Sequence, residues 1–333
     1  MKTIFFEVQE WEREKLQFTF PESLLVEARL GKDNVQTETF KDAEIISTFI
    51  NSSITKEVID HLPKLKFITT RSTGYDHIDV AYFKSRDIQV SNVPEYGSNT
   101  VAEHTFALIL SLTRKIYQSV NHSKNLNFEH DTLRGIDLYG KTLGIIGLGK
   151  IGTNVLRIAK GFGMNVLVVN RSQDQELMKQ FDFRYVDLNT LLQSSDIVTL
   201  HFPLNGETKH TINKANISMM KKGSYLINTA RGGLVETESI LQGLDKGILE
   251  GVGLDVLEEE KELNEEVAIL TSEYRSHADL KNLIYNHILI NHPKVLITPH
   301  NAFNSKEALA RITSTTIENI KSYLAGKPIH TLK

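Results

Sequence analysis

Short apolar runs alternate along this chain with stretches whose apolar residues recur every three or four positions. In the first third, the runs at 2–8, 24–28, 45–49, 67–71 and 88–93 read as strands, with helical patterns at 55–62 and 78–85. Strands alternating with helices imply a parallel sheet covered on both faces, and this part reads as one complete unit. A long helix is expected next, from 99 or 100 to 123. Its apolar residues Val101, Phe106, Ala107, Leu108, Leu110, Leu112 and Ile116 are too many for one narrow stripe, which predicts burial on several sides.

A second series of the same grammar opens at Thr142. Its strands are expected at 143–146, 166–169, 197–202, 225–228 and 251–256, with helices between them. The pattern breaks at 258–291, which is acidic at first and holds a helix near 278–285. One more strand follows at 295–298, and 305–324 reads as an amphipathic helix with Ser305 as its N-cap. No internal repeat is found. The boundaries read as 1–98 with 299–333 for one domain and 99–298 for the other, joined by stiff hinges near Ser98 and Thr298.

Composition narrows the classes. A chain of 333 residues exceeds what one core supports, and 40% apolar with 24% charged residues is ordinary for a globular protein. The net charge of -3 leaves no basic footprint, so no nucleic-acid partner is expected. The absence of cysteine excludes disulfides, thiolate nucleophiles and Cys-ligated metals, and suits the cytoplasm. The run 1–7 is too short for a signal peptide, and no window approaches the length of a membrane span. His77, His104 and His201 show no paired ligand spacing, so no metal is expected.

The stretch Gly147-Leu148-Gly149-Lys150-Ile151-Gly152 lies between the strand 143–146 and a helical pattern at 153–160. Strand, G-x-G-x-x-G and helix in that order make a dinucleotide-binding turn. Gly147 permits the tight turn, Gly149 lets the backbone approach a pyrophosphate, and Gly152 lets the helix pack close to the strand. The free N–H groups at the helix start attract the anion, and Lys150 and Ile151 of the turn are counted with the glycines as cofactor-binding residues.

A substrate site is then expected at the carboxyl ends of the neighbouring strands. Arg231 follows the strand 225–228 and precedes Gly232-Gly233, well placed to bind a carboxylate in bidentate fashion. Asp255 ends an apolar run, Glu260 lies five residues on within an acidic run, and His300 follows the strand 295–298. Each also has a plainer reading: a turn arginine, a solvated acidic loop, a structural histidine. Spacing alone does not bring Glu260 to His300.

At these residues the chain resembles the D-isomer-specific 2-hydroxyacid dehydrogenases, most closely their D-lactate dehydrogenase branch. The resemblance rests on Gly147 to Gly152, on Asn228-Thr229-Ala230-Arg231-Gly232, on Gly253-Leu254-Asp255-Val256 with Glu260, and on Thr298-Pro299-His300. Arg71-Ser72-Thr73-Gly74-Tyr75-Asp76-His77-Ile78-Asp79, Val101-Ala102-Glu103-His104 and His201-Phe202-Pro203-Leu204 extend it over nearly the whole chain.

The resemblance implies an α/β fold of two doubly wound parallel-sheet domains, a Rossmann cofactor domain and a flavodoxin-like substrate domain, with a cleft between them. It implies reversible hydride transfer between NAD(P)H and a small 2-keto acid giving the D-2-hydroxy acid, with pyruvate and D-lactate as the pair. Arg231, Glu260 and His300 fall on the family's catalytic positions. Arg231 would grip the substrate, His300 would donate a proton, and Glu260 would keep His300 protonated at neutral pH. The N–H groups near Thr73 and Gly74 would meet the carboxylate, and Tyr96 and Phe303 would wall a small pocket. Asp255 would orient the nicotinamide beside Thr229 and Ala230, while Phe202, Pro203 and Thr208 would line the adenosine end. The long helix would pair two copies into a homodimer. Alternatives are a glyoxylate/hydroxypyruvate or phenylpyruvate reductase and, in another class, a dinucleotide-sensing, corepressor-like regulatory protein.

One position departs from the NAD pattern. After the strand 166–169 an acid normally meets the ribose 2′-hydroxyl, and here stand Asn170-Arg171-Ser172. Loss of the carboxylate removes repulsion against a 2′-phosphate, and Arg171 could pair with one. NADP use is therefore expected beside NAD; the alternative is an arginine pointing to solvent.

Overall fold

The computed structural model describes residues 1–75, 78–258 and 280–332. These divide into two compact units, Met1–Gly97 with Asn304–Lys333, and Ser98–Phe303.

The first unit opens with β1 (Thr3–Phe5), α1 (Glu10–Thr19), β2 (Leu24–Leu25), β3 (Ile45–Thr48), α2 (Lys56–Ile59), β4 (Phe67–Thr70), α3 (Val80–Ser85) and β5 (Gln89–Ser91). The strands form one parallel sheet in the order β2-β1-β3-β4-β5, which reverses direction between β1 and β3. Successive residues of a strand face opposite sides. Ile4, Ile46 and Ile68 therefore share one core with Phe6, Leu30 and Val58, while Phe5, Ile45 and Phe67 share another with Leu16. Helix α1 was not evident from periodicity, because in Glu-Trp-Glu-Arg-Glu-Lys-Leu-Gln-Phe-Thr only Glu12 and Leu16 are buried. Its start is marked instead by the Gln9 N–H donating to Glu12.

The second unit runs through α4 (Ser98–Thr113), α5 (Ile116–Lys124), β6 (Thr142–Ile146), α6 (Lys150–Gly161), β7 (Asn165–Val169), α7 (Gln175–Phe181), β8 (Arg184–Tyr185), α8 (Leu188–Ser194), β9 (Ile197–Leu200), β10 (Ser224–Asn228), α9 (Thr237–Asp245), β11 (Leu249–Leu254), α10 (Leu280–Ile290) and β12 (Val295–Ile297). Its sheet is parallel in the order β12-β11-β10-β9-β6-β7-β8, so direction reverses between β6 and β9. Leu143, Ile145, Val166, Val168 and Ile227 face one core, and Ile146, Leu167, Val198, Leu226 and Val252 the other. Burying each such side chain contributes roughly 1.5–3 kcal/mol.

The expected single helix to 123 is two helices. The Thr113 carbonyl accepts from the Ile136 N–H at 2.9 Å, which removes an acceptor the continuing helix needs, and Lys115 turns left-handed with φ +49°. Burial is on one broad face of α4, not on several sides: Ala102, Thr105, Phe106, Leu108, Ile109 and Leu112 are covered, Val101 and Leu110 are half-buried, and Ala107 is exposed. Gly253 of β11 explains how: a Cβ there would come within 3.2 Å of both Leu108 and Leu112, so the bare backbone admits the helix.

The chain returns to the first unit through α11 (Lys306–Leu324), with Ser305 accepting from the Ala308 N–H as its N-cap. Ile317 and Ile320 complete the core around Phe5, and Asn319 donates to Thr69 and to the Asn92 carbonyl.

Candidate active site

The glycine-rich turn has the local geometry its sequence implies. Gly147 stands at φ +95°, and a Cβ there would lie 2.6 Å from the His201 carbonyl oxygen. A Cβ at Gly152 would lie 2.1 Å from the Gly147 oxygen, so α6 starts as close to the turn as backbone allows. At Gly149 a Cβ would meet nothing within 4 Å, which leaves open space over the α6 N-terminus, with Lys150 and Ile151 opening the helix. Tight turn, open backbone and close helix packing are the three properties a pyrophosphate cradle requires, so these residues fit a dinucleotide.

Around that turn the polar groups are occupied with holding loops. Asn170 accepts from the Leu148 N–H at 3.0 Å and donates to the Ser172 carbonyl at 2.8 Å, so it fastens the turn from the end of β7. Arg171 is exposed and lies 3.8 Å from Glu207. After β9, Phe202 borders Gly147, and Thr208 donates to the Pro203 carbonyl at 2.8 Å, closing that loop on itself. His201, just before Phe202, is buried, and burial holds its imidazole down to about 3, so it is neutral at ordinary pH.

The strand ends of β10, β11 and β12 carry the remaining candidates of this unit. Asn228 donates to the Arg231 carbonyl at 2.8 Å and accepts from the Ala230 N–H at 3.1 Å, which shapes the turn. The half-buried Arg231 donates to the Ala230 carbonyl at 2.8 Å, and the Thr229 hydroxyl lies 3.0 Å from that of Thr105 on α4. Gly232 is indispensable to this turn, since a Cβ would sit 2.0 Å from the Leu257 carbonyl oxygen.

Asp255, only 1% exposed, has a carboxylate occupied by the turn that bears His300. It accepts from the Asn301 N–H at 2.8 Å, the Ala302 N–H at 2.9 Å and the Thr298 hydroxyl at 2.5 Å. The His300 N–H donates to the Asp255 carbonyl at 2.9 Å, and His300 itself is left-handed at φ +51°. A non-glycine residue in that region costs about 1–3 kcal/mol, so the clamp offsets real strain. Asp255 thus holds the imidazole's turn.

Glu260, like Asp76 and His77, lies outside the described residues. Its neighbour Glu258 differs from the solvated run expected there. It is 9% exposed and accepts from His210 at 2.6 Å and from the Thr237 hydroxyl at 2.8 Å. The acidic run is therefore rooted in the protein at its first residue.

In the first unit, Thr73 and Gly74 follow β4. The Thr73 hydroxyl donates to the Val93 carbonyl at 2.8 Å, and Asn92 donates to the Thr73 carbonyl at 2.9 Å. Arg71 just before them is 1% exposed. It donates to Ser47 at 3.0 Å and to the Phe6 and Glu7 carbonyls, and lies 3.2 Å from Glu12. Burial pushes the Glu12 carboxyl up and the Arg71 guanidinium down, while their mutual attraction opposes both shifts. Tyr96 follows β5, half-buried, its carbonyl accepting from Arg311 at 2.6 Å. Phe303 closes the second unit and is half-buried too.

Every described candidate thus lies at the carboxyl end of a parallel strand of its own unit. Four residues of the motifs and the acidic run hold these loops without a role that the sequence declares: Asn228, Glu258, Thr298, and His104, whose Nε2 lies 3.0 Å from the Thr298 hydroxyl. Among the described residues no three His, Asp or Glu side chains gather as a metal site, and no helix is long and apolar enough to cross a membrane.

Known proteins extend the picture. The family model described as "D-isomer specific 2-hydroxyacid dehydrogenase, NAD binding domain" matches residues 106–302. A 2-hydroxyacid dehydrogenase homolog of Zymomonas mobilis is 37% identical over 305 residues, covering 90% of this chain and 88% of that protein. The D-lactate dehydrogenase of Escherichia coli is 33% identical over 292 residues, covering 87% of this chain and 86% of that one. Among solved structures, D-lactate dehydrogenase from Aquifex aeolicus complexed with NAD and lactic acid superposes with a TM-score of 0.86 at 34% identity, over 98% of this chain and 96% of that one. With the match spanning both units, the chain belongs to the D-isomer-specific 2-hydroxyacid dehydrogenase family.

Proposed function

We propose that this protein reduces a small 2-keto acid to the D-2-hydroxy acid at the expense of NADH or NADPH, with pyruvate and D-lactate as the pair. The observation that supports this most is the His300 turn. A strained histidine is clamped by a buried carboxylate at one strand end, beside a strand end that bears an arginine. Gly147, Gly149 and Gly152 would hold the pyrophosphate of a reduced nicotinamide dinucleotide, which would supply the hydride when bound. Arg231 binds the carboxylate and carbonyl of the substrate, and its guanidinium fork suits that planar pair of oxygens. His300 gives a proton to the carbonyl oxygen, and Glu260 attracts the charged imidazole. The N–H groups near Thr73 and Gly74 receive the carboxylate, and Tyr96 and Phe303 limit the substrate to a short side chain.

Asn170 in place of an acid and the exposed Arg171 favour acceptance of NADPH as well as NADH. The apolar residues Ile116, Tyr117, Val120, Leu126 and Phe128 are exposed together on α5 and just beyond it, which favours pairing with a second copy.

The test is a panel of 2-keto acids against both reduced cofactors. Cofactor oxidation with pyruvate, falling as the side chain grows, is expected; no oxidation with any member would overturn the proposal. His300→Gln should lower kcat by about 10²–10⁴-fold. Glu260→Gln should lower reduction at neutral pH more than in acid.

A further inference from the structure

We propose that His104, on α4, is a positioning residue for His300, acting through Thr298 and Asp255. The inference rests on the acid–base role given to His300 above. The Thr298 hydroxyl donates to the Asp255 carboxylate at 2.5 Å, so its proton is committed there. Its oxygen then accepts from His104, whose Nε2 lies 3.0 Å away and 3.5 Å from the same Asp255 oxygen. The Nε2–H form of the imidazole is therefore the one this contact selects.

The geometry makes a chain of constraints. Asp255 must serve three donors from the turn, the Thr298 hydroxyl and the N–H groups of Asn301 and Ala302. A carboxylate 1% exposed has no water to replace a lost donor. His104 fixes the rotamer of Thr298 from outside the turn, and Thr298 fixes the carboxylate plane that receives the two N–H groups just after His300. The helix can do this because Thr105, the next residue, is itself docked against Thr229 at 3.0 Å. Two consecutive residues of α4 thus brace the strand ends that carry Arg231 and His300. His104 touches no reacting atom in this scheme. It sets where His300 stands, and misplacement by an ångström can cost up to about 10²-fold in rate.

The experiment compares wild type with His104→Ala, His104→Gln and Thr298→Val in pyruvate reduction, with amide hydrogen exchange at Asn301 and Ala302 as the second readout. For His104→Ala we expect kcat lowered about tenfold, KM for the reduced cofactor within about twofold, and faster exchange of both amides. His104→Gln, whose amide still donates, should recover most of the kcat, and Thr298→Val should reproduce the loss without adding to it in the double variant. A lowered Tm with kcat and exchange unchanged would mean a merely structural histidine and would overturn the proposal. So would failure of the glutamine to restore. If His104→Ala does not fold, the glutamine and valine variants decide by the same criteria. If wild type turns over no keto acid, the activity assigned above falls, and amide exchange alone decides the positioning role.

Discussion

Both units present a loop at the carboxyl end of a parallel strand, and they secure it by opposite means. In the first, the loop at Thr73 and Gly74 is rooted by Arg71, a buried guanidinium set against the buried carboxylate of Glu12 and donating to the Phe6 and Glu7 carbonyls. In the second, the His300 turn is rooted by Asp255, a buried carboxylate surrounded by a hydroxyl and backbone N–H groups. An ion pair requires both charges, because a lone survivor is left uncompensated in a poor dielectric. A carboxylate among neutral donors degrades more gradually, one hydrogen bond at a time. The first device makes a stiff platform, and the second allows the turn to be adjusted without losing the fold.

Trp11, the one tryptophan in the chain, lies on α1 in the first unit and lets the two devices be read apart. The largest effect should come from Arg71→Met, which strands Glu12. Unfolding followed by Trp11 fluorescence in urea should show a loss of about 3–5 kcal/mol, with much of it regained in the double variant Arg71→Met/Glu12→Leu. A loss below about 1 kcal/mol would break the contrast between the units. Asp255→Asn should cost less, about 1–3 kcal/mol, visible in circular dichroism while the Trp11 transition stays in place.

Smaller again, over the first pH unit below 6.5, is the effect of acid on the second unit. His201 is held to about 3 in the folded protein and returns to its ordinary value of 6.5 when unfolded. Between those values the unfolded chain binds one proton more, so stability is full above pH 6.5 and falls as pH drops, by at most about 1.4 kcal/mol per pH unit. His201→Gln should flatten that slope in the circular-dichroism transition; an unchanged slope would assign it to other groups. Smallest is Arg171→Ala, with stability within about 0.5 kcal/mol of wild type. Its signature should be kinetic: kcat/KM for NADPH falls while that for NADH holds, and an unchanged ratio would mean that Arg171 faces only solvent and Glu207.

What was legible in the chain is what depends on neighbours in sequence. Gly147, Gly149 and Gly152 declare their turn because each role is local to strand, turn and helix, and Ser305 declares a cap three residues before the N–H it accepts from. The parallel sheets follow from unbroken apolar runs. The devices that hold the site were not legible, since each joins residues far apart in the chain. His104 meets Thr298, Glu258 meets His210 and Thr237, and Arg71 meets Glu12. The end of α4 at Thr113 was hidden for the same reason, because the N–H that captures its carbonyl comes from Ile136. Helix α1 shows no apolar period, because its buried face is Glu12 as much as Leu16.

The passage of the chain out of the first unit at Gly97 and back at Asn304 sets an order of assembly during translation. A nascent chain released only to Gly97 lacks α11, and with it Ile317, Ile320 and the two donations of Asn319. At roughly 5–20 residues per second, the ribosome takes about ten seconds or more to reach that helix, long enough for Ser98–Phe303 to fold in the interval. The part made first is thus finished last, and until then its uncovered face of Phe5, Ile45 and Phe67 is what a chaperone would find.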